Sequence, residues 1–219
     1  MGGGRLIAKN YDSMWTNSEK ARIDVNMITD ADGNVTDAGN NPVEIEGHAT
    51  TMTTWYGTGG IINIGLTTGD SKFTGEFAGA GTQNMWLRNG AVWNNTGIVY
   101  NPWSGSNYIS DISSHVTWLH GGNDKSSAGN IIQNSASDLY IDNLDGCTKL
   151  FMEHDLNYVV PEFAKNPDGS DKVDKDGNKI KNEDAGQKKI FGKLGNVIIA
   201  KAHKREGKNS EISLITDNK

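Results

Sequence analysis

Apolar and polar residues alternate with a period of two along this chain, but only in short bursts. Leu139 and Ile141 share one face of an extended strand, and Asp138, Tyr140 and Asp142 share the other. Leu144 breaks that parity, so the chain must bend near Asn143 if all three apolar residues face inward. Val116 and Leu119 repeat the same odd offset. Past Asp145-Gly146, Leu150 and Met152 alternate with Lys149, Phe151 and Glu153, and Ile212 and Leu214 do so in SEISLIT. The stretch DLYIDNLDGCTKLFMEHDL, residues 138–156, therefore reads either as a hairpin around the Asp-Gly turn or as two successive turns of a stack of strands.

Similar strand-like pieces recur from RIDVNMIT through IINIGL, NMWLRNG and SHVTWLH to NVIIAKA, and Gly, Asn, Asp or Ser separates nearly all of them. No stretch keeps the i, i+3, i+4, i+7 spacing of an amphipathic helix over three turns. The pattern predicts an all-β chain. Each strand offers two or three inward aliphatic side chains, worth about 1.5–3 kcal/mol apiece on burial, against roughly 1–2 kcal/mol of backbone entropy per ordered residue. Such strands must stack on one another. A β-solenoid satisfies that requirement with one continuous column of apolar residues, and a β-sandwich is the competing architecture, left open by the lack of an exact period.

Residues 159–195 depart from the pattern. They are rich in Lys and Asp, nearly free of apolar residues in the middle, and carry Asp-Gly at 168–169 and 176–177. We read them as a loop or hairpin inserted into a single domain spanning 1–219, with a hairpin at KVDKDGNKI. Residues 29–42 form a smaller excursion of the same kind.

Composition narrows the class of function. A net charge of −6 with only four arginines disfavours nucleic acid as a partner. Cys147 is the single cysteine, so neither an internal disulfide nor a cysteine-based zinc site can form. No apolar run approaches the roughly 18 residues of a membrane helix. Met1–Gly4 reads as an added start and SEISLITDNK breaks off in mid-pattern, so the chain is expected to be a fragment.

The ordered motifs SKFTGEF (71–77), NMWLRNGAVWNN (84–95), SSHVTWLHGG (113–122), LYIDNLDGCTKLFMEHDL (139–156) and GNVIIAKAHKREGKNSEISLITDN (195–218) together resemble the passenger domains of bacterial autotransporters, the pertactin-like group. Residues 5–70 match in style alone, Cys147 and Thr148 stand where that group has a glycine-rich corner, and the 159–195 insertion interrupts a connection that is short there. The resemblance implies a right-handed parallel β-helix of the pectin-lyase-like type, in which residues 138–156 are two successive coils. It also implies display on the cell surface by an outer-membrane β-barrel belonging to the parent chain, with C-terminal coils aiding folding during secretion.

Chemistry-bearing constellations are sparse. His115 and His120 lie an odd number of residues apart, which points them to opposite faces of a regular strand and disfavours joint metal ligation. Asp174, Asp176, Gly177 and Glu183 stand where a calcium loop would have them, but Lys172 occupies the first ligand position. His154-Asp155 and the carboxylates Asp142, Asp145, Glu153 and Asp155 read as turn residues. The six tryptophans, Trp15, Trp55, Trp86, Trp93, Trp103 and Trp118, are read as filling or capping the stack, with exposed ones able to meet a sugar or partner.

The expectation is therefore an adhesin-type binding or scaffold protein and not an enzyme, with no catalytic, metal or cofactor residues assigned. Its partner would be a protein or glycan of a host or neighbouring cell, and its binding residues are left unassigned, with loops at 160–193 favoured. A β-helix lyase or hydrolase acting on polysaccharide is the alternative, and a pure spacing element a third. Unpaired strand edges at cut ends would favour end-to-end self-association.

Overall fold

The computed structural model describes residues 3–51, 59–79, 81–96, 114–135, 138–152, 162–164, 166, 170–182, 185 and 195–215. The chain divides into two units, residues 1–152 with 194–219, and residues 153–193. Among the described residues there is no helix, and the strands number sixteen. Trp55, Trp103, Glu153, His154, Asp155 and Glu183 lie outside the described residues.

In the first unit the strands build two parallel sheets. The larger one has eight strands, β1 (Gly4–Thr16), β5 (Val43–Thr51), β7 (Lys72–Thr74), β10 (Val92–Thr96), β12 (Gly129–Asn134), β14 (Cys147–Phe151) and β16 (Glu211–Ile215) in that order, with β8 (Phe77–Gly79) also against β5. The six-stranded sheet runs β15 (Val197–His203), β13 (Leu139–Asp145), β11 (Ser114–His120), β9 (Thr82–Leu87), β6 (Ile61–Leu66) and β2 (Arg22–Val25). From β9 onward successive strands alternate between the sheets, and each new strand joins its sheet at the same advancing edge. Among the described residues only β3 (Met27–Thr29) and β4 (Val35–Ala38) pair antiparallel as strands.

This topology answers the hairpin question. β13 and β14 belong to different sheets, each parallel to its neighbours, so residues 138–151 are not a hairpin. Gly146 makes the corner between them at φ 77°, where a Cβ would lie 2.5 Å from the Gly122 carbonyl oxygen. A second sharp corner, Asn89-Gly90, separates β9 from β10 with φ 53° and 78°. The separations in sequence between residues that meet on neighbouring strands vary, for example 39, 21, 25 and 38. That variation explains why no fixed period is visible in the sequence.

The core lies between the sheets and is held in register. On one side Ile45, Phe73, Trp93, Ile131 and Leu150 are neighbours in turn. On the other, Val25, Ile64, Met85, Leu119 and Leu144 are. All belong to one buried cluster that also takes in Leu139, with Ile212 packed against it. Phe73, Phe77 and Trp93 pack ring on ring at 5.5–6.2 Å, and the Trp93 indole donates to the Gly75 carbonyl at 3.0 Å. Buried amides are paired across the rows, as Asn95 is to Gln133 at 2.6 Å and Gln83 to Thr51 at 2.7 Å.

The bend expected near Asn143 is visible as burial of both Ile141 and Leu144 with a missing ladder pair at Asp142. β11 bends in the same place, and this corrects the reading of its histidines. Val116 and Leu119 both face the core, so His115 and His120 both stand away from it. Parity counts only while a strand stays regular. Leu214 also differs from expectation: it is in register with Leu150 but 58% exposed, because β16 is the last strand of its sheet.

In the 153–193 unit, Val173 bridges Lys179 and Phe163 bridges Lys181, both antiparallel, around a turn at Asp174–Gly177. Lys179 pairs with Asp171 at 2.7 Å and lies 5.1 Å above the Phe163 ring. The turn is built like the one between β3 and β4. Asp174 Oδ1 accepts from the backbone of Asp176 and Asn178, as Asp30 Oδ1 does from Asp32 and Asn34. Each second carboxylate oxygen accepts from the Asn side chain of its own turn. These bonds hold both carboxyls below their ordinary range and account for the aspartates as turn formers.

Candidate functional site

The outer face of the six-stranded sheet carries two rows of side chains that the parallel register sets side by side. One row reads Asp24, Asn63, Asn84, Trp118, Asn143, Lys201, and the next Gly65, Trp86, His120, Asp145, His203. Each first-row residue from Asn63 to Asn143 directly precedes an inward apolar residue, so core burial of its neighbour aims it outward.

Polar contacts run along the first row. Arg22 grips both carboxylate oxygens of Asp24 at 2.9 and 2.6 Å. The Asn63 amide donates to the same carboxylate at 2.7 Å, and the Asn84 amide donates to Asn63 Oδ1 at 2.8 Å. Burial pushes the Asp24 carboxyl up, but the bonds from Arg22 and Asn63 and the Arg22 charge outweigh it, and the group titrates below its ordinary range.

Aromatic rings occupy the second row and its border. Trp86 stacks on His120 at 4.5 Å, His120 lies 5.4 Å from Trp118 with planes 6° apart, and Trp118 meets His203 at 4.9 Å. The stack ends at Trp86 because its neighbour in register, Gly65, has no side chain. Partners below the rings fix their positions. His120 Nδ1 is 2.7 Å from Asp145 Oδ2, and His203 Nε2 is 2.9 Å from Asn143 Oδ1. Arg205 donates to Asp145 Oδ1 at 2.9 Å and to the Gly121 carbonyl, which also accepts from Arg88. Burial raises the Asp145 carboxyl, but His120 and Arg205 more than reverse this and keep it ionised.

Between the rings and the β3–β4 hairpin lies a groove of about 350 Å³, lined by Arg22, Asn63, Asn84, Trp86, Trp118 and His120 and walled by Asn34 and Val35. The hairpin is tied down by Asp37, 2.9 Å from Arg88 Nη1, and by Asn26, whose amide donates to the Gly39, Asn41 and Gly65 carbonyls. The volume is at the lower end of small-molecule sites. Half-buried Trp118 beside the Asn84 amide, which keeps one N–H beyond its bond to Asn63, can seat a flat-faced, hydroxylated ligand.

The residues weighed from the sequence fall in several places. His115 pairs with Asp142 at 3.0 Å, away from His120, so the two histidines share a face but not a site. Trp93 is in the core, Trp86 is 7% exposed, Trp15 is 43% exposed and Trp118 is half-buried. Among the described residues no group of three or more His, Cys, Asp or Glu is arranged to hold a metal ion. Sequence reasoning missed the groove. Its available signal was the repeated pairing Asn-Ile, Asn-Met, Trp-Leu and Asn-Leu at 63–64, 84–85, 118–119 and 143–144. Comparison with protein-family models, with curated proteins and with solved structures finds no match.

Proposed function

We propose that this chain is the passenger region of a bacterial autotransporter, wound as a right-handed parallel β-helix, and that it serves adhesin-type binding at the cell surface. One observation carries the reading: from β9 onward consecutive strands alternate between two parallel sheets, each joining its sheet at the same advancing edge. A helical winding of the chain produces that order, and a right-handed crossover is the rule between parallel strands. The motif corners support it too, since Gly121-Gly122 meets Gly146-Cys147 of the neighbouring row through paired backbone bonds of 2.9 and 2.7 Å. The groove supplies a surface for attachment, complementing any contribution of residues 160–193.

In this reading the parent chain holds the passenger outside a Gram-negative-type outer membrane through its own β-barrel, and the partner is a protein or glycan of a host or neighbouring cell. Beads coated with the full chain should attach to cell surfaces above an albumin-coated control, and attachment no better than the control counts against adhesion. Protease treatment of intact parent cells should remove the antigen; its protection until lysis counts against surface display.

The His120–Asp145 pair favours a second reading, a β-helix enzyme acting on polysaccharide. Asp145 fixes Nδ1, leaving the other imidazole nitrogen as a base at the groove. Release of reducing ends or unsaturated products from polysaccharide, lost in His120→Ala, would establish it over adhesion alone.

A further inference from the structure

The geometry points to a neutral oligosaccharide as the ligand of the groove between the Trp86–His120–Trp118 stack and the β3–β4 hairpin. This rests on the adhesin reading and names its ligand class. Three features converge.

Half-buried Trp118 offers apolar area at the groove against which the C–H face of a pyranose can lie, while the Asn84 amide, with one of its two N–H groups on Asn63, keeps a second donor for a hydroxyl. An apolar ligand would strand that remaining donor. The charges, secondly, are spent within the protein. Among the described residues Arg22 is the one Arg or Lys lining the groove, and its charge is paired with Asp24 through Nε and Nη2. His120 faces Asp145, and Arg88 and Arg205 face Asp37 and Asp145. A sulfated or carboxylated sugar would find no uncommitted cation among the described lining residues, whereas a neutral one needs none. The platform, thirdly, is preorganised. The rings are fixed by mutual stacking and by second partners underneath, and the hairpin wall is fixed by Arg88–Asp37, so little ordering cost falls on binding.

Isothermal titration of the full chain with cellotetraose, maltotetraose, N-acetylchitotetraose and a heparin tetrasaccharide tests this. At least one neutral probe should bind with 1:1 stoichiometry and the heparin fragment should not. Trp118→Ala should weaken that binding about tenfold, Asn84→Ala should weaken it as well, and Trp15→Ala, in the other sheet, should leave it unchanged. Far-UV circular dichroism confirms that each variant is folded. If no neutral probe binds, if heparin binds as well as they do, or if the folded Trp118→Ala chain binds as wild type does, the inference is overturned. Bead attachment separates this from the parent reading. Beads that adhere but are not displaced by the neutral probes defeat the ligand class and leave adhesion standing, whereas beads that never adhere defeat adhesion itself.

Discussion

Trp93 is the largest fully buried side chain among the described residues. It is fully buried, neighbours Phe73 on one strand and Ile131 on the other, stacks on Phe73 at 6.2 Å, meets Phe77 edge-on at 5.6 Å, and donates to the Gly75 carbonyl. Truncation to Ala removes the buried ring and leaves a cavity, a change that costs about 3–5 kcal/mol in tightly packed cores. It also leaves the Gly75 carbonyl without its donor, worth about 1–3 kcal/mol where the group stays dry. We expect a loss near the top of the first range, about 5 kcal/mol. Trp93→Phe keeps a ring against Phe73 and Phe77 but loses the hydrogen bond and part of the volume, and should cost about half as much. Guanidinium unfolding followed by far-UV circular dichroism reads both, with a slope of about 4–5 kcal/mol per molar for a chain of this size. The Ala midpoint should fall by about 1 M. A fall under about 0.2 M would refute the stacked-column account. Equal costs for Phe and Ala would show that the indole hydrogen bond, rather than ring packing, carries the effect.

Gly146→Ala should cost at least about 1–2 kcal/mol from its left-handed backbone alone, with more from contact with Gly122, and thermal unfolding should register the loss. His48 is nearly buried and its imidazole is held below its ordinary pKa by burial, against a smaller pull from Asp12. The unfolded chain then takes up a proton that the folded one refuses, so stability should fall as pH drops from about 6.5 toward the lowered folded value. His48→Phe should flatten that part of the stability–pH curve, measured as unfolding midpoints from pH 7.5 to 5; an unchanged slope would exclude His48. Asp145 titrates low in the fold, so its contribution is present above the unfolded carboxyl pKa and lost as pH falls through the folded one. Asp145→Asn should cost about 1–2 kcal/mol at pH 7 for a half-buried ion pair, and the difference from wild type should shrink at acid pH. Because backbone and Asn amides already occupy the Asp30 and Asp174 carboxylates, millimolar calcium should leave the melting temperature unchanged, and a rise of several degrees would contradict that account.

The extended character of the chain is a local property, and it could be read directly. Side chains alternate across any strand, so Leu139 and Ile141 declared an inward face, and the odd offset to Leu144 declared a bend, before any neighbour was known. Asp-x-Asp-Gly-Asn likewise announces its own turn, since every bond that builds it lies within five residues. The partner of each strand is not local. The register that seats Trp86 beside His120, or Asn84 beside Trp118, crosses connections of different lengths, and nothing in a short window measures those lengths. Parity itself misled at His115 and His120, because the bend that returns Leu119 to the core also turns the second histidine outward. The groove draws on positions from Arg22 to His120 and became a site only when parallel pairing brought them onto one face. Sequence alone determined most of the inward apolar positions and where the chain turns, through backbone sterics and the pull of apolar side chains from water. Tertiary structure decided which outward residues meet, because pairing between distant strands is fixed by the packing of the whole column and not by any one of its segments.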